Sequence, residues 1–231
     1  IRLATSEMLA GELLPPLLQR FLALHPGIQI EADVSNRAVD LTRREADLAL
    51  RATARPPEAM VGRQVAELRY AVYAARALLP RQRDGQPVLQ ALPWIGFDDR
   101  MAYTGIAQWF SQTLPDVQPR MKADSLPAML KAAAAGIGAV VLPMFAAAQE
   151  PRLLRITPPI EGQVMGLWLL HHPDVRGNAR VRLLMQWLAD EVPKELAQQA
   201  AGGKAWPCFA ACPLAGRRRR RSAVADPAQA F

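Results

Sequence analysis

The segment Ser35 to Arg51, SNRAVDLTRREADLALR, limits the folds open to this chain more than any other. It reads as an acceptor loop, a short basic amphipathic helix over Val39 to Glu45, and a buried strand over Ala46 to Leu50 that ends on Arg51. Upstream, Leu13, Leu14, Leu17, Leu18, Phe21 and Leu22 recur at the spacing that places side chains on one helical face. Pro15-Pro16 sits either in the first turn of that helix or at a break in it, since proline lacks the N–H that an interior turn requires. His25-Pro26-Gly27 closes the run, with His25 as a C-terminal capping residue favoured by the helix dipole. Ile28, Ile30, Ala32 and Val34 then alternate with Gln29, Glu31 and Asp33, the pattern of a half-exposed strand. With Ile1 to Thr5 as a first strand, the order is strand–helix–strand–helix–strand. Such an order builds mostly parallel sheets, because helices supply the long crossovers that parallel strands need.

The pattern continues with strands over Val61 to Ala66 and Arg69 to Ala74, and restarts at a short helix over Ala75 to Pro80. Strands are expected at Trp94 to Phe97, Pro119 to Ala123, Ala139 to Leu142, Leu153 to Ile156 and Met165 to Leu170. Helices are expected at Gly105 to Thr113, with Trp109 and Phe110 inward, at Leu126 to Ala135 after Ser125, and at Asn178 to Ala200. Two similar blocks with a returning final helix imply two α/β lobes joined by crossing strands near Val72–Ala75 and Val164–Leu167. The expected division is 1–72 for the first part of lobe I, 73–166 for lobe II, 167–200 for the return to lobe I, and 201–231 for a disordered, low-complexity tail.

Composition removes several function classes. The net charge is +7, but the tail carries Lys204 and Arg217 to Arg221 against Asp226 alone, so +5 of it lies there and the first 200 residues are near neutral. A near-neutral body gives no sign of a nucleic-acid-binding face. The arginine pentad reads as a solvated run. No stretch reaches the roughly 18–20 apolar residues of a membrane span. Cys208 and Cys212 both lie in the tail and lack a metal-binding neighbourhood, which leaves them as free thiols with no metal expected, and a cysteine-free body suits a reducing cytoplasm. The chain opens on strand-like IRLAT without an initiating Met or signal peptide, as a fragment or a processed form would.

Four phrases carry a family resemblance: LLPPLLQRFLALHPGIQIE, VDLTRREADLALR, KADSLPAMLKAAAAGIGAVVLP and HHPDVRGNARVRLLMQWLADEV. In this order and spacing, over about residues 1–196, the chain resembles the effector-binding domain of LysR-type transcriptional regulators. The resemblance implies a type-2 periplasmic-binding-protein fold, with two lobes around a ligand cleft. It implies a small-molecule effector, no cofactor, and no membrane partner. It implies pairing of copies into dimers or tetramers through the Leu13–Leu24 helix, whose exposed leucines would form the interface. DNA binding would belong to an N-terminal winged helix-turn-helix that is expected to be missing from this chain.

Where strands end and helices begin, free N–H groups and hydroxyls can hold a small anion. Three places qualify: Thr5 and Ser6 after the first strand, Ser35 and Asn36 after the second, and Ser125 and Leu126 before the Ala-rich helix. Ser6 and Ser125 serve equally well as helix caps, and Ser35 and Asn36 read first as cap or turn formers. Phe97 ends a strand of lobe II and Pro143 starts a helix at a strand-to-helix junction there, where they either wall the cleft or fill the core. Arg51 could grip an anion with two parallel hydrogen bonds or pair structurally with Asp47 or Glu45. Arg43 and Arg44 read as a solvated helix face.

No GxSxG, P-loop, GxGxxG or HExxH occurs, His171 and His172 lack ligand partners at metal spacing, and no nucleophile–base pair can be assembled, so an enzyme is not expected. The leading expectation is a cytoplasmic sensor of a small, anionic metabolite. The alternative is a periplasmic solute receptor of a transporter, which would need an export signal.

Overall fold

A computed structural model describes residues 1–36, 46–58, 60–79, 88–173 and 178–205. The expected Val39–Glu45 helix with Arg43 and Arg44, both cysteines and the arginine pentad lie outside these residues.

Among the described residues, nine strands and six α-helices build the fold, with short 3-10 turns at Arg76–Leu78, Leu89–Ala91 and Asp99–Met101. The strands are β1 (Arg2–Thr5), β2 (Glu31–Val34), β3 (Leu48–Ala52), β4 (Val61–Ala75), β5 (Ile95–Phe97), β6 (Met121–Ala123), β7 (Val140–Pro143), β8 (Leu153–Arg155) and β9 (Val164–His171). The helices are α1 (Glu7–Glu12), α2 (Leu14–Leu24), α3 (Gly105–Thr113), α4 (Leu126–Ala134), α5 (Met144–Ala147) and α6 (Ala179–Ala201). The leucine-rich run is not broken: Pro15 and Pro16 sit in the first turn of α2, where a missing N–H costs nothing, and α1 is a separate short helix before it.

The main sheet runs β2-β1-β3-β9-β4-β7, with β8 also paired to β4, and β5-β6 form a second, parallel pair. Trp94 bridges to Ala139 and so ties β5 to the start of β7. The expected parallel ladders are β1 with β2, β1 with β3, and β5 with β6. Every antiparallel ladder contains β4 or β9.

The two strands read at Val61–Ala66 and Arg69–Ala74 are one strand of 15 residues, β4. Its register slips between Gln64 and Ala66, leaving Val65 as an extra residue. Such a bulge bends a strand without ending it. The first part of β4 pairs with β9 as far as Arg69 opposite Val164. From Tyr70 opposite Pro143 it pairs with β7. One strand therefore serves both lobes.

Burial follows from the pleat. Leu3, Leu48, Leu50, Leu167 and Leu169 share one face of the lobe I sheet and are buried against α1, α2 and α6, through Leu9, Leu13, Leu17, Phe21, Leu184 and Leu188. The opposite face holds Ala4, Ala46, Ala49 and Leu170, with Met60 and Trp168 packed on them. In lobe II, Phe110 meets Trp94 and Phe97 edge-on at ring separations of 5.3 and 6.1 Å. Such packing favours the positive ring edge against the negative face.

Two expectations change. All four residues of β2 are exposed, so the alternation over Ile28–Val34 marks a short edge strand, with Ile28 and Ile30 half-buried before it. The leucines of α2 are largely spent in the chain's own core: Leu14 and Leu17 are buried, Leu18 and Leu22 half-buried, and Leu24 alone is 63% exposed. His25 does cap α2, its N–H donating to Phe21 O at 3.0 Å, while its ring lies 4.7 Å from that of Phe21.

Candidate functional site

Glu7 joins the carboxyl ends of β1 and β2 in lobe I to the start of α4 in lobe II. Glu7 is the first residue of α1, directly after Ser6. Its N–H donates to Asn36 Oδ1 at 3.3 Å. Its carboxylate accepts the Ser125 hydroxyl at 2.7 Å, across 118 residues of sequence. The three loops singled out from sequence are thereby drawn together, by a side chain that sequence reasoning passed over. The available signal was an acidic residue in the first turn of a helix, where the dipole favours it.

Each expected site residue has a definite place. Thr5 is fully buried and donates to Leu50 O at 3.2 Å, tying β1 to β3. Ser6 occupies the N-cap position of α1, yet its side chain makes no capping hydrogen bond. Asn36 caps from outside in its place. Ser35 extends the parallel ladder, donating its N–H to Thr5 O at 3.0 Å. Ser125 caps α4 through Ala128 N at 3.5 Å while its own proton goes to Glu7. Leu126 is the half-buried first residue of α4, followed by Pro127 in a turn that needs no N–H. Phe97 is buried against Phe110, and Pro143 is buried opposite Tyr70, which makes both parts of the lobe II interior.

Arg51 lies one residue beyond Leu50 on the opposite face. Its Nη1 donates to Ser35 O, while its Nη2 is buried without a partner. Burial lowers its pKa from the usual guanidinium value, and the Asp33 carboxylate opposes that shift. Asp47, named above as its possible ion-pair partner, accepts the Arg2 N–H at 2.8 Å instead. Four residues of extended chain separate Asp47 from Arg51, about 13 Å, beyond the reach of a pair.

Lobe II adds a charged edge. Arg100 binds Asp98, just past β5, at 2.9 Å and Asp124, just past β6, at 2.8 Å. The hydrogen bonds from Arg100 hold the Asp98 carboxyl below its usual range. Among the described residues no group of three or more His, Cys, Asp or Glu side chains is placed to hold a metal, and no helix is long and apolar enough to cross a membrane. The arrangement brings the Glu7 carboxylate, the Asn36 amide and the Ser125 hydroxyl together, groups that can hydrogen-bond a small polar molecule.

Comparison with known proteins gives the same architecture. The family described as LysR substrate binding domain matches residues 1–193. The HTH-type transcriptional regulator YhjC of Escherichia coli (strain K12) is 27% identical over 203 residues, covering 82% of this chain and 66% of that protein. The chain thus spans just under two thirds of that relative's length. Among solved structures, the regulatory domain of CrgA, a LysR-type transcriptional regulator from Neisseria meningitidis, superposes with a TM-score of 0.68 at 21% identity, over 83% of this chain and 98% of that one. The CcmR regulatory domain of Synechocystis PCC6803, solved in complex with 2-PG, gives a TM-score of 0.65 at 21% identity, over 83% and 96%. A match that extends from the first strand well into the last helix leaves one assignment, and this chain belongs to the LysR substrate binding domain family.

Proposed function

We infer that this domain senses a small anionic metabolite held between its two lobes, and that binding alters their relative angle and so controls DNA binding and transcription by a longer regulator. The observation that carries this reading is the convergence on Glu7 of Asn36 from one strand end and Ser125 from the other lobe. A ligand entering there exchanges these contacts for its own. It shifts the balance of lobe angles only to the extent that it binds one arrangement more tightly than the other. The ligand-contacting set is Ser6, Ser35, Asn36, Arg51, Ser125 and Leu126, and the buried Thr5, Phe97 and Pro143 give it shape from behind.

The lobes divide at 1–72 with 167–200 and at 73–166. Sensing makes or breaks no bond. The protein works in the cytoplasm as a homo-oligomer built along α2, where Leu24 projects outward. CcmR was solved with 2-PG, which is in keeping with a small ligand on this fold.

The test is a thermal-shift screen of aliphatic and aromatic carboxylates, repeated with Ser6→Ala and Ser125→Ala. A carboxylate that raises the unfolding temperature of the parent chain should lose that effect in both variants. An unchanged shift in both would remove the cleft from consideration.

A further inference from the structure

The last helix starts on one lobe and ends against the other. Along most of its length α6 packs on α2 of lobe I, where the Trp187 ring lies 5.9 Å from that of Phe21 and Arg20 binds Glu195 at 2.9 Å. Near its end it also packs against α5 of lobe II. There Gln199 donates from Nε2 to Glu12 O at 3.0 Å, and Gln149, just past α5, donates to the same oxygen at 3.1 Å. Glu12 is the last residue of α1, and a terminal helix carbonyl has no partner within its own helix, so it can take both. Both ends of α1 are therefore tied to lobe II, Glu7 through Ser125 and Glu12 through Gln149.

Beyond α6 the backbone joins lobe II. Gly202 closes the helix. Gly203 passes so near lobe II that a β-carbon on it would stand 3.0 Å from Ala148 Cβ. Lys204 O accepts the Arg155 N–H at 3.0 Å, and Ala205 bridges to Arg155 in parallel. Arg155 pairs with Tyr73 of β4 on its other side, so this segment lines the outer edge of β8. It lies two strand spacings from β4, about 10 Å. Among the described residues the chain thus passes between the lobes three times, along β4, along β9 and at the end of α6.

We propose that Gln199 to Ala205, together with Gln149, form a clasp that fixes the ligand-free angle between the lobes and opposes its change. The ladder of β4 and β9 leaves torsion open, because paired strands can coil further and stay bonded. An attachment to one side of that ladder is stretched by the same torsion, and its hydrogen bonds weaken steeply once stretched. The domain then has two discrete arrangements, clasped and released, which is what a switch between lobe angles requires. Gly203 is the residue that permits the close passage, since any side chain there meets Ala148. The clasp goes beyond the sensing role and needs no ligand for its test, so its failure would leave that role standing.

Two readouts test it in the full chain carrying Cys208→Ser and Cys212→Ser. Hydrogen exchange at the Arg155 amide reports the clasp itself, because its acceptor is Lys204 O. Distances between nitroxides on Arg182→Cys in α6 and Gln112→Cys in α3, both exposed positions, report the lobe angle, with unlabelled chain in excess to suppress distances between copies. The parent should show a protected Arg155 amide and one narrow distance distribution. Gly203→Val should speed Arg155 exchange about tenfold or more and should broaden or shift the distances. Gln149→Ala should change the distances in the same direction. Gly203→Ala should act more weakly, and adding Ala148→Gly to it should restore the parent values. The Ala139 amide, bonded to Pro93 O within lobe II, should stay protected in every variant, which separates release from unfolding. An unprotected Arg155 amide in the parent would overturn the clasp. So would distances that stay at the parent values after Arg155 exchange has risen. If Gly203→Val unfolds, Gln149→Ala and the Gly203→Ala pair decide, and unchanged distances in both would refute the proposal.

Discussion

Ser125 uses one hydroxyl twice, accepting from the first turn of α4 and donating to Glu7 in the other lobe. Ser125→Ala should therefore cost about 1 kcal/mol for the lost cap, read as a lower denaturation midpoint. Glu7→Gln, which keeps an acceptor oxygen, should cost less than Glu7→Ala. A different carboxylate makes stability depend on pH in acid. Glu150 accepts two hydrogen bonds from the Arg152 guanidinium, at 2.8 and 2.9 Å, and these hold its pKa down at about 2. Because the folded value lies below the usual one of 4.5, the stabilisation is fully present above that pH and is lost as pH falls toward about 2. Acid titrations of stability for the parent and Glu150→Gln should differ most near neutrality and converge toward pH 2. At this scale the sequence was partly readable. A serine before a helix announces a cap, and Ser125 is one. Ser6 is not, because Asn36 arrives from 30 residues away to take the role, and no local pattern encodes that meeting. The same holds for Glu7 and for Trp168, whose neighbours come from distant strands.

Among the elements, those with one clear apolar face were legible nearly to the residue. The expected Gly105–Thr113 helix is α3 itself, and α4 and α6 each differ by about one residue. The long strand β4 was not. Its first half sets the polar pair Arg63-Gln64 beside the bulged Val65, which breaks the period of two that reveals a strand, and the alternation resumes only at Glu67-Leu68-Arg69. Two positions make element-level tests. The buried Thr157 hydroxyl accepts the Val72 N–H at 3.0 Å. Thr157→Val keeps the shape but orphans that N–H, and should cost about 1–3 kcal/mol in urea unfolding. Gly138 lies so near the start of β5 that a β-carbon would meet Trp94 C at 2.8 Å and Pro93 O at 2.9 Å. Backbone cannot yield as a flexible side chain can, so Gly138→Ala should cost roughly 1–3 kcal/mol through overpacking, with loss of the Trp94–Ala139 bridge visible in near-ultraviolet circular dichroism.

In the molecule as a whole, one apolar cluster extends from Leu3 and Leu50 in lobe I through Val72 and Tyr73 on β4 to Val141 and Phe145 in lobe II. Tyr70 and Tyr73 sit within it, and burial pushes both phenols up to about 12. Since the core has no seam, the lobes should unfold together. Calorimetry should give a single transition whose measured and van't Hoff enthalpies agree, and two resolved transitions would contradict this. The lobes themselves were foreseeable from the repeated strand–helix order, but the sharing of a strand was not, because pairing partners are set by the assembled sheet. Where the polypeptide passes between the halves, β4 and β9 lie side by side in one antiparallel ladder, bonded as far as Arg69 and Val164. Two ribbons fastened edge to edge resist sliding, which would tear that ladder, but yield to torsion, which only deepens the natural coil of paired strands. Rearrangement between the halves should accordingly be a rotation about the ribbon's long axis, with the amides at its waist staying closed to solvent exchange throughout.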